Sequence, residues 1–385
     1  MLFSFPISLF ILYFVFYSGQ AIYNTYINLY LSEIGLNYSQ IGLIISISTV
    51  FLLISQMFFA SISDKSRNKA YVLSFLLFLS SLSCLLFYCG ASFFAMLFAV
   101  AFFSLFYNPI IPLLDNYSVE CVEIDNRYDY GHIRMGGTIG YCLTVLLIGF
   151  FIKSTYRPIF AIICACFFIA FLCSFSLKKI RGFDLNSTKE AKKVAYKKLL
   201  GDRTLGLLIS FNLVFSMGLS FFYSFYPIYF TQIGGDSAEV GVMMFLCAIT
   251  EIPMLAVIGK LEKKFGTRSV LIVSGFLTSV RWLLLFLIEN PIAALFVNLL
   301  HGPCYISFSY SIITYIGKNV PKELRATGQS LNALISTLGS KVIFGYMGGL
   351  ASAFFGLKGV MLASSLFTLI GTFLFFTWSK NSGKI

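Results

Sequence analysis

Long apolar stretches alternate with short polar segments along the whole chain. Each apolar stretch holds roughly 20 residues, the length of α-helix that crosses ~30 Å of hydrocarbon. A membrane β-barrel would instead show alternating segments of about ten residues. The pattern predicts an all-α integral membrane protein with twelve transmembrane helices, over residues 4–30, 40–61, 70–89, 92–118, 131–152, 158–177, 204–231, 238–259, 269–288, 291–316, 326–350 and 359–379.

The first apolar stretch is interpreted as a membrane helix and not as a signal peptide. No basic segment precedes it, and its apolar run is longer than that of a signal peptide.

One polar pattern occurs twice. Residues 30–35 (Tyr-Leu-Ser-Glu-Ile-Gly) recur 199 positions later as residues 229–234 (Tyr-Phe-Thr-Gln-Ile-Gly), and the spacing continues without a gap. The duplication predicts two six-helix bundles, residues 1–177 and 204–385, joined by a basic linker, residues 178–203. Because an even number of helices, six, separates the two copies, both bundles cross the membrane in the same direction. They are parallel repeats with a pseudo-two-fold axis along the membrane normal, and a solute site is expected between them near mid-membrane.

The composition indicates that the chain lies in a lipid bilayer, and the charges of its loops indicate its orientation across the membrane. The chain is 58% hydrophobic and 11% charged, whereas soluble proteins carry about 25% charged residues. The net charge of +12 is not interpreted as nucleic-acid binding, because the basic residues concentrate in alternate loops. The opposite loops hold only Lys153, Arg157 and Lys358. The positive-inside rule therefore predicts a cell-membrane protein with both termini and the linker in the cytoplasm.

The linker itself admits two interpretations. Its spaced lysines are typical of a helix lying on an anionic membrane surface, and also of a solvated connection that fixes topology.

Few residues suggest covalent chemistry or metal binding. None of the nine cysteines has the spacing of a zinc site, and the two histidines belong to no HExxH motif. We expect a non-enzyme without cofactor or metal, which is a monomer in the bilayer and whose partners are a small solute and protons.

A loop motif follows the second helix of each half. Ala60–Lys69 and Gly259–Arg268 resemble the loop motif of the major facilitator transporters, G-x-x-x-D-R/K-x-G-R-R/K. The first copy has Ala60 and Arg67 in place of the glycines, and the second has Lys263 at the acidic position. The resemblance implies that Asp64 stabilises one access state; alternatively, the basic residues only hold the loop inside. The candidate gating residues are Asp64, Lys65, Arg67, Gly259, Lys263, Gly266 and Arg268.

Several ionisable residues lie within the predicted helices, at a cost of at least ~2.5–3.5 kcal/mol each near the membrane centre. Asp115 and Arg134 lie at similar depth on consecutive helices, so a buried pair is expected, with either a structural or a solute-binding role. Glu251 is a candidate carrier of the coupling proton, because burial favours the neutral form of a carboxyl group. Arg281 and His301 are its candidate partners.

Uncharged polar residues extend the candidate solute site. Gln20, Asn24 and Asn28 are four residues apart and predict a polar stripe on the first helix, facing a cavity or another helix. Tyr223 and Tyr226 either line the cavity or anchor the helix at the membrane interface. The remaining candidates are Asn116, Asn298, Tyr305, Gln329 and Asn332, while Lys341 is interpreted as a residue that extends towards the interface.

Four segments sharpen the family resemblance: residues 130–140, 281–282, 300–302 and 326–331 resemble the phenylpropionate permease branch, which is related to the lactose permease and nucleoside–proton symporter groups. That branch usually has a Trp at the position of Met135. The resemblance implies the major facilitator fold and proton-coupled uptake of a small organic solute, such as a sugar, nucleoside or aromatic acid, by alternating access. The alternatives are an exporter or lipid-linked-sugar flippase of the same fold, and a membrane sensor or scaffold without transport.

Overall fold

The computed structural model describes residues 7–124, 129–152, 155–181, 203–321 and 324–382. These residues are helical almost throughout, and no strand occurs among them. The chain divides into two compact units, Met1–Asn186 (unit 1) and Ser187–Ile385 (unit 2). The boundary falls within the predicted linker, whose residues 182–202 lie outside the described residues, so both interpretations of the linker remain predictions.

The predicted set of twelve spanning helices is confirmed. Nine helical stretches of the described chain are long and apolar enough to cross a membrane, and two of these each contain two helices. The breaks lie at Gly266 and Gly356, whose φ angles of 80° and 72° no helix accommodates. A shorter apolar helix completes the set. We number them α1 Ile7–Glu33, α2 Tyr38–Lys65, α3 Lys69–Ser83, α4 Phe93–Tyr107 with Ile110–Ile124, α5 Tyr130–Phe151, α6 Ile159–Ser174, α7 Arg203–Gln232, α8 Ser237–Phe265, α9 Thr267–Leu287, α10 Pro291–Val297 with His301–Asn319, α11 from Arg325 to the break at Gly356, and α12 from there to Ser382.

The duplicated pattern ends one helix and starts the next. Gly35 adopts a φ of 85° and donates its N–H to Ser32 O, while Leu36 N–H reaches back to Leu31 O. This is the Schellman ending, in which a left-handed glycine lets the chain satisfy the last carbonyls of a helix. Gly234 repeats it with a φ of 97°.

A capping box follows each of these endings. Asn37 accepts from Gln40 N–H while the Gln40 side chain accepts from Asn37 N–H, and Asp236 and Glu239 form the same pair at the start of α8. The box satisfies two N–H groups that a new helix leaves unpaired. The repeat therefore encodes the α1–α2 and α7–α8 turns.

Small residues bring helices close within unit 1. A Cβ atom added at Gly136 or Gly140 of α5 would lie 2.5 Å from Phe10 O or 2.3 Å from Phe14 O of α1. Backbones approach this closely only where the side chain is absent. The contact places the start of α5, which carries Arg134, against the tyrosines of α1.

Serine pairs join the outer helices of each unit. Ser74 of α3 hydrogen-bonds Ser174 of α6 at 2.6 Å, and Ser279 of α9 donates to Ser365 O of α12 at 2.9 Å. The two units thus use the same device between equivalent helices.

Candidate functional site

The charged pair of unit 1 is assembled by three helices. Arg134 Nε of α5 lies 3.3 Å from Asp115 Oδ1 of α4, and Tyr13 of α1 donates to the same oxygen at 2.7 Å. The guanidinium carbon lies 4.6 Å from the ring centre of Tyr17, within cation–π range. Asp115 Oδ1 therefore contacts both Tyr13 and Arg134, while the guanidinium of Arg134 has further N–H groups beyond the one on Nε.

The pair is less buried than its position in the sequence indicated. The side chains of Arg134 and Asp115 are 34% and 29% exposed, because the phenols of α1 cover only one side of them. The neighbouring Asn116 is exposed. Both members of the pair therefore keep accessible side-chain surface.

The three polar residues of α1 differ in exposure, and their common role as a stripe that faces a cavity or another helix stays a prediction. Asn24 is exposed, Gln20 is partly buried and Asn28 is buried. Steps of four residues rotate by about 40° each on an α-helix, so the three side chains diverge. Asn24 is the most exposed of the three.

Unit 2 contains a fully buried arginine held by two residues of α10. Arg281 of α9 donates from Nη2 to Asn298 Oδ1 at 2.8 Å, and its Nη1 lies 3.0 Å from His301 Nδ1. All three residues are fully buried. The rings of Phe222 and Trp282 flank the guanidinium at 4.4 and 4.9 Å.

These contacts determine the state of the histidine. A guanidinium can only donate hydrogen bonds, so His301 Nδ1 must accept and the imidazole carries its proton on Nε2. Nε2 lies 2.9 Å from Tyr223 Oη and 3.3 Å from Glu251 Oε1. His301 is therefore a neutral bridge between a buried arginine and a carboxylate whose side chain is 30% exposed.

A close approach of α8 and α10 places Glu251 beside His301. Gly302 donates its N–H to Thr250 Oγ1 at 3.1 Å, and a Cβ atom on Gly302 would lie 2.2 Å from Thr250 O. Any side chain at position 302 would push the two helices apart next to the Glu251–His301 contact.

Gly302→Ala should accordingly destabilise the protein by about 1–3 kcal/mol, the usual cost of forcing an extra group into a packed contact. Gly317→Ala is the matched control on α10, since a Cβ atom there meets nothing within 4 Å. That change should leave the melting temperature equal or slightly higher. Equal melting temperatures for both variants in detergent would contradict the close packing described here.

Two other residues of the predicted site differ in their environment. Tyr226 is only 1% exposed and packs against Phe222. Its predicted place at the solute cavity stays a prediction. The bulky rings around it were not apparent from its spacing on α7. Tyr305 is half-buried and stacks on His301, with ring centres 5.5 Å apart.

The polar residues of α11 form contacts of their own. Asn332 accepts from Asn212 of α7 at 2.8 Å, and Gln329 donates to Ile313 O of α10 at 2.9 Å. Lys341 lies in a π-helical turn, Leu338–Ile343, and its side chain is exposed.

The first loop motif surrounds a buried lysine. Lys69 Nζ lies 2.5 Å from Glu120 Oε1 of α4 and 3.8 Å from Asp64 Oδ1, while Lys65 and Arg67 are exposed. Glu120 had been given no role on sequence grounds, since it is one of several acids in its loop. The ammonium group thus connects the motif acid to the end of α4.

In the second copy of the loop motif, the buried residue is an acid and its partner is a lysine, the reverse of the first copy. Glu262 is buried, accepts from Thr267 Oγ1 at 2.6 Å and lies 3.7 Å from Lys318 of α10. It stands one position before the exposed Lys263, so a strict motif alignment overlooks it. Arg268 binds α12 through Ser379 Oγ at 2.8 Å and Phe376 O at 3.0 Å. Gly259 faces the Tyr310 hydroxyl, and Gly266 supplies the break between α8 and α9.

No group of three His, Cys, Asp or Glu side chains suited to a metal occurs in the part of the chain that the structure describes.

Comparison with known proteins agrees with this architecture. The model of the MFS_1 like family matches residues 6–363. The putative nucleoside transporter YegT of Escherichia coli (strain K12) is 27% identical over 336 residues, which are 80% of this chain and 75% of that protein. The probable 3-phenylpropionic acid transporter of the same organism is 22% identical over 368 residues, 94% of this chain and 95% of that protein. The crystal structure of the nucleoside transporter NupG superposes with a TM-score of 0.87 at 16% identity, over 97% of this chain and 99% of that one.

Proposed function

The chain belongs to the MFS_1 like family, and from that premise we propose that it is a proton-coupled symporter which accumulates a small organic solute by alternating access. It is a multi-pass membrane transporter. The proposed solute is a sugar, nucleoside or aromatic acid, and two relatives are named for nucleosides and for 3-phenylpropionic acid. The proposed topology keeps both termini and the linker in the cytoplasm, with the protein as a monomer.

The contact between Glu251 and neutral His301 carries the proposal. With Glu251 ionised, its charge balances that of Arg281 through the imidazole, and the cluster is formally neutral. A proton on Glu251 leaves the cluster with one positive charge in a buried setting, which is costly unless the surroundings change. Proton binding and the state of the transporter are therefore expected to be coupled, because each alters the free energy of the other.

The pair in unit 1 is suited to a different task. An arginine side chain does not release its proton at physiological pH, and Asp115 is held by two donors. Arg134 retains donors for the hydroxyl, carbonyl or carboxylate oxygens of a solute. We therefore assign solute binding to Asp115 and Arg134, together with the exposed Asn24 of α1 and Asn116 of α4, and proton binding to unit 2.

The loop contacts are assigned to gating. In unit 1 the Lys69 ammonium holds Asp64 and Glu120, and in unit 2 Glu262 holds Lys318. Ion pairs at helix ends can stabilise one of two arrangements of the same helices. We propose that both contacts stabilise a single access state.

The proposed function is tested in proteoliposomes with an imposed inward proton gradient. The probes are uridine, maltose and 3-phenylpropionate, first ranked by the rise in melting temperature that each produces, since a bound ligand stabilises the folded state. Accumulation of at least one probe should rise with the gradient and collapse when a protonophore is added. If accumulation is the same with and without the proton gradient for every probe that binds, the result would contradict proton coupling.

A further inference from the structure

Several buried side-chain polar atoms of unit 2 have no hydrogen-bond partner among the described residues. Besides Ser220 Oγ, Glu262 Oε2, Trp282 Nε1 and Ser311 Oγ, they include Tyr226 Oη and Tyr229 Oη of α7 and Arg281 Nε of α9. These last three residues are 1%, 6% and 0% exposed. The tyrosines are three residues apart on α7, with ring centres 6.1 Å apart, so their hydroxyls follow one side of that helix.

The three atoms belong to one region. The guanidinium carbon of Arg281 lies 4.4 Å from the ring centre of Phe222, and the Phe222 ring stacks on that of Tyr226 with centres 5.0 Å apart. Nearly all buried polar groups of folded proteins bond to protein or to ordered water. Three neighbouring exceptions therefore indicate a shared partner that is not part of the chain.

The chemistry of the three atoms selects that partner. Arg281 Nε–H can only donate, whereas a phenol both donates and accepts, so the partner must accept one bond and be able to donate another. It must also be neutral while Glu251 is ionised, because Glu251 then balances the charge of Arg281 through His301. A small, neutral molecule that donates and accepts hydrogen bonds is water.

The polar region opens towards one end of unit 2. Tyr229 interacts electrostatically with Glu289 and Lys358, which form an ion pair with side chains 68% and 39% exposed. The hydrogen bond from Lys358 lowers the pKa of Glu289, which lies in the turn between α9 and α10. A chain of polar groups thus leads from Arg281 to the exposed end that carries these two residues.

The opposite direction is mainly apolar. Beyond Glu251, α8 packs through Ile258 against Val270 of α9 and Ile306 of α10, with Met254, Leu261, Tyr305 and Tyr310 against them. Apart from the two tyrosine hydroxyls, these side chains offer water no hydrogen bonds. Hydration of the interior is therefore expected from the Glu289–Lys358 end.

We propose that water occupies the interior between Tyr226, Tyr229 and Arg281, and connects the guanidinium of Arg281 with the Glu289–Lys358 end of unit 2. Tyr226 is then a positioning residue that holds this water against Arg281, rather than a contact for solute. One consequence rests on the proposed function: the Arg281–His301–Glu251 cluster is hydrated from this end while Glu251 binds its proton.

Radiolytic footprinting of the full chain in lipid nanodiscs tests the proposal, with water enriched in oxygen-18 as the probe. An X-ray pulse generates hydroxyl radicals from bound water in place, so a buried ring is oxidised when ordered water touches it. Tyr117 is the internal control, because it is 0% exposed and its hydroxyl donates to Lys178 O at 2.6 Å. Tyr226 and Tyr229 should incorporate the isotope several-fold faster than Tyr117. Equal protection of the three tyrosines would overturn the proposal.

A variant tests the connection between the two hydroxyls. Tyr226→Phe keeps the ring and removes the hydroxyl, and it should lower the oxidation of Tyr229 several-fold. Tyr117→Phe removes a buried hydroxyl elsewhere and should leave Tyr229 unchanged. Unaltered oxidation of Tyr229 in folded Tyr226→Phe would show that water does not link the two residues. The footprinting experiment requires neither solute nor a proton gradient. A negative footprint would therefore not contradict the proposed symport, and absence of symport would not contradict the water site.

Discussion

Glu251→Gln is expected to abolish accumulation driven by the proton gradient while sparing solute exchange. A gradient of one pH unit stores about 1.4 kcal/mol per proton, which sustains about tenfold accumulation when one proton enters with each solute. Glutamine keeps the size of the side chain and can still accept from His301 Nε2–H, but it cannot release a proton. The variant should therefore bring the solute to equal concentrations on both sides of the membrane without accumulating it.

The measurement is uptake of the best-binding probe into proteoliposomes at matched protein density, with and without the gradient, alongside counterflow of labelled against unlabelled probe. Glu239→Gln is the matched control on α8, since glutamine preserves its bond to the N–H of Asp236 in the capping box. That control should accumulate like the unaltered protein. Gradient-driven accumulation by Glu251→Gln at the normal level would remove Glu251 from the coupling mechanism.

Asp115→Asn should weaken solute binding roughly tenfold. Asp115 fixes the guanidinium of Arg134 through a charged hydrogen bond, and such bonds contribute about 1.5–3 kcal/mol when partly buried. The lower end of that range applies because each side chain is about a third exposed and solvent screens the interaction. Asparagine retains the bond from Tyr13 but leaves Arg134 free to turn away from the solute.

Titration calorimetry with the best-binding probe gives the change directly. Asp129→Asn serves as the control in the same unit, because that carboxylate is 70% exposed and lies 3.3 Å from His132 on the surface. Arg134→Lys is the companion variant, since it keeps the charge and loses the planar fork. Unchanged affinity in both Asp115→Asn and Arg134→Lys would assign the pair a structural role only.

The duplicated pattern shows which features of the fold can be predicted from the sequence. Glycine, Asn37 and Asp236 at matched positions carry the turns by local rules, because left-handed glycine and capping side chains act within six residues. Apolar length then sufficed to predict the helices. Which helices approach most closely depends on single small residues such as Gly140 and Gly302, and their effect appears only when the partner backbone is in place.

In the candidate site, too, some features can be predicted from the sequence and others depend on packing between helices. The pairing of Asp115 with Arg134 followed from depth, since an isolated charge in hydrocarbon is costly. Its partial exposure did not follow, because Tyr13 and Tyr17 are distant in sequence and cover one side only. Glu251, Arg281 and His301 were candidates on the same grounds, whereas the contact of His301 with Tyr223 depends on packing between α7 and α10.

The burial of Tyr226 and of Glu262 has a common cause. Tyr226 was predicted to face solute because tyrosines recur along α7, yet neighbouring aromatic rings enclose it. Glu262 was overlooked because the loop motif placed the acid one residue later. Periodicity and motif position specify a helix face only approximately, and packing decides which of two adjacent residues is buried.

The most direct test of symport is the direction of proton movement driven by solute alone. Proteoliposomes with a pH-sensitive dye inside, and equal pH on both sides, receive an inward gradient of the best-binding probe. Under symport, the interior becomes more acidic as solute enters, and Glu251→Gln removes this signal without stopping exchange. A more alkaline interior, or solute entry with no change in pH, would contradict proton-coupled symport.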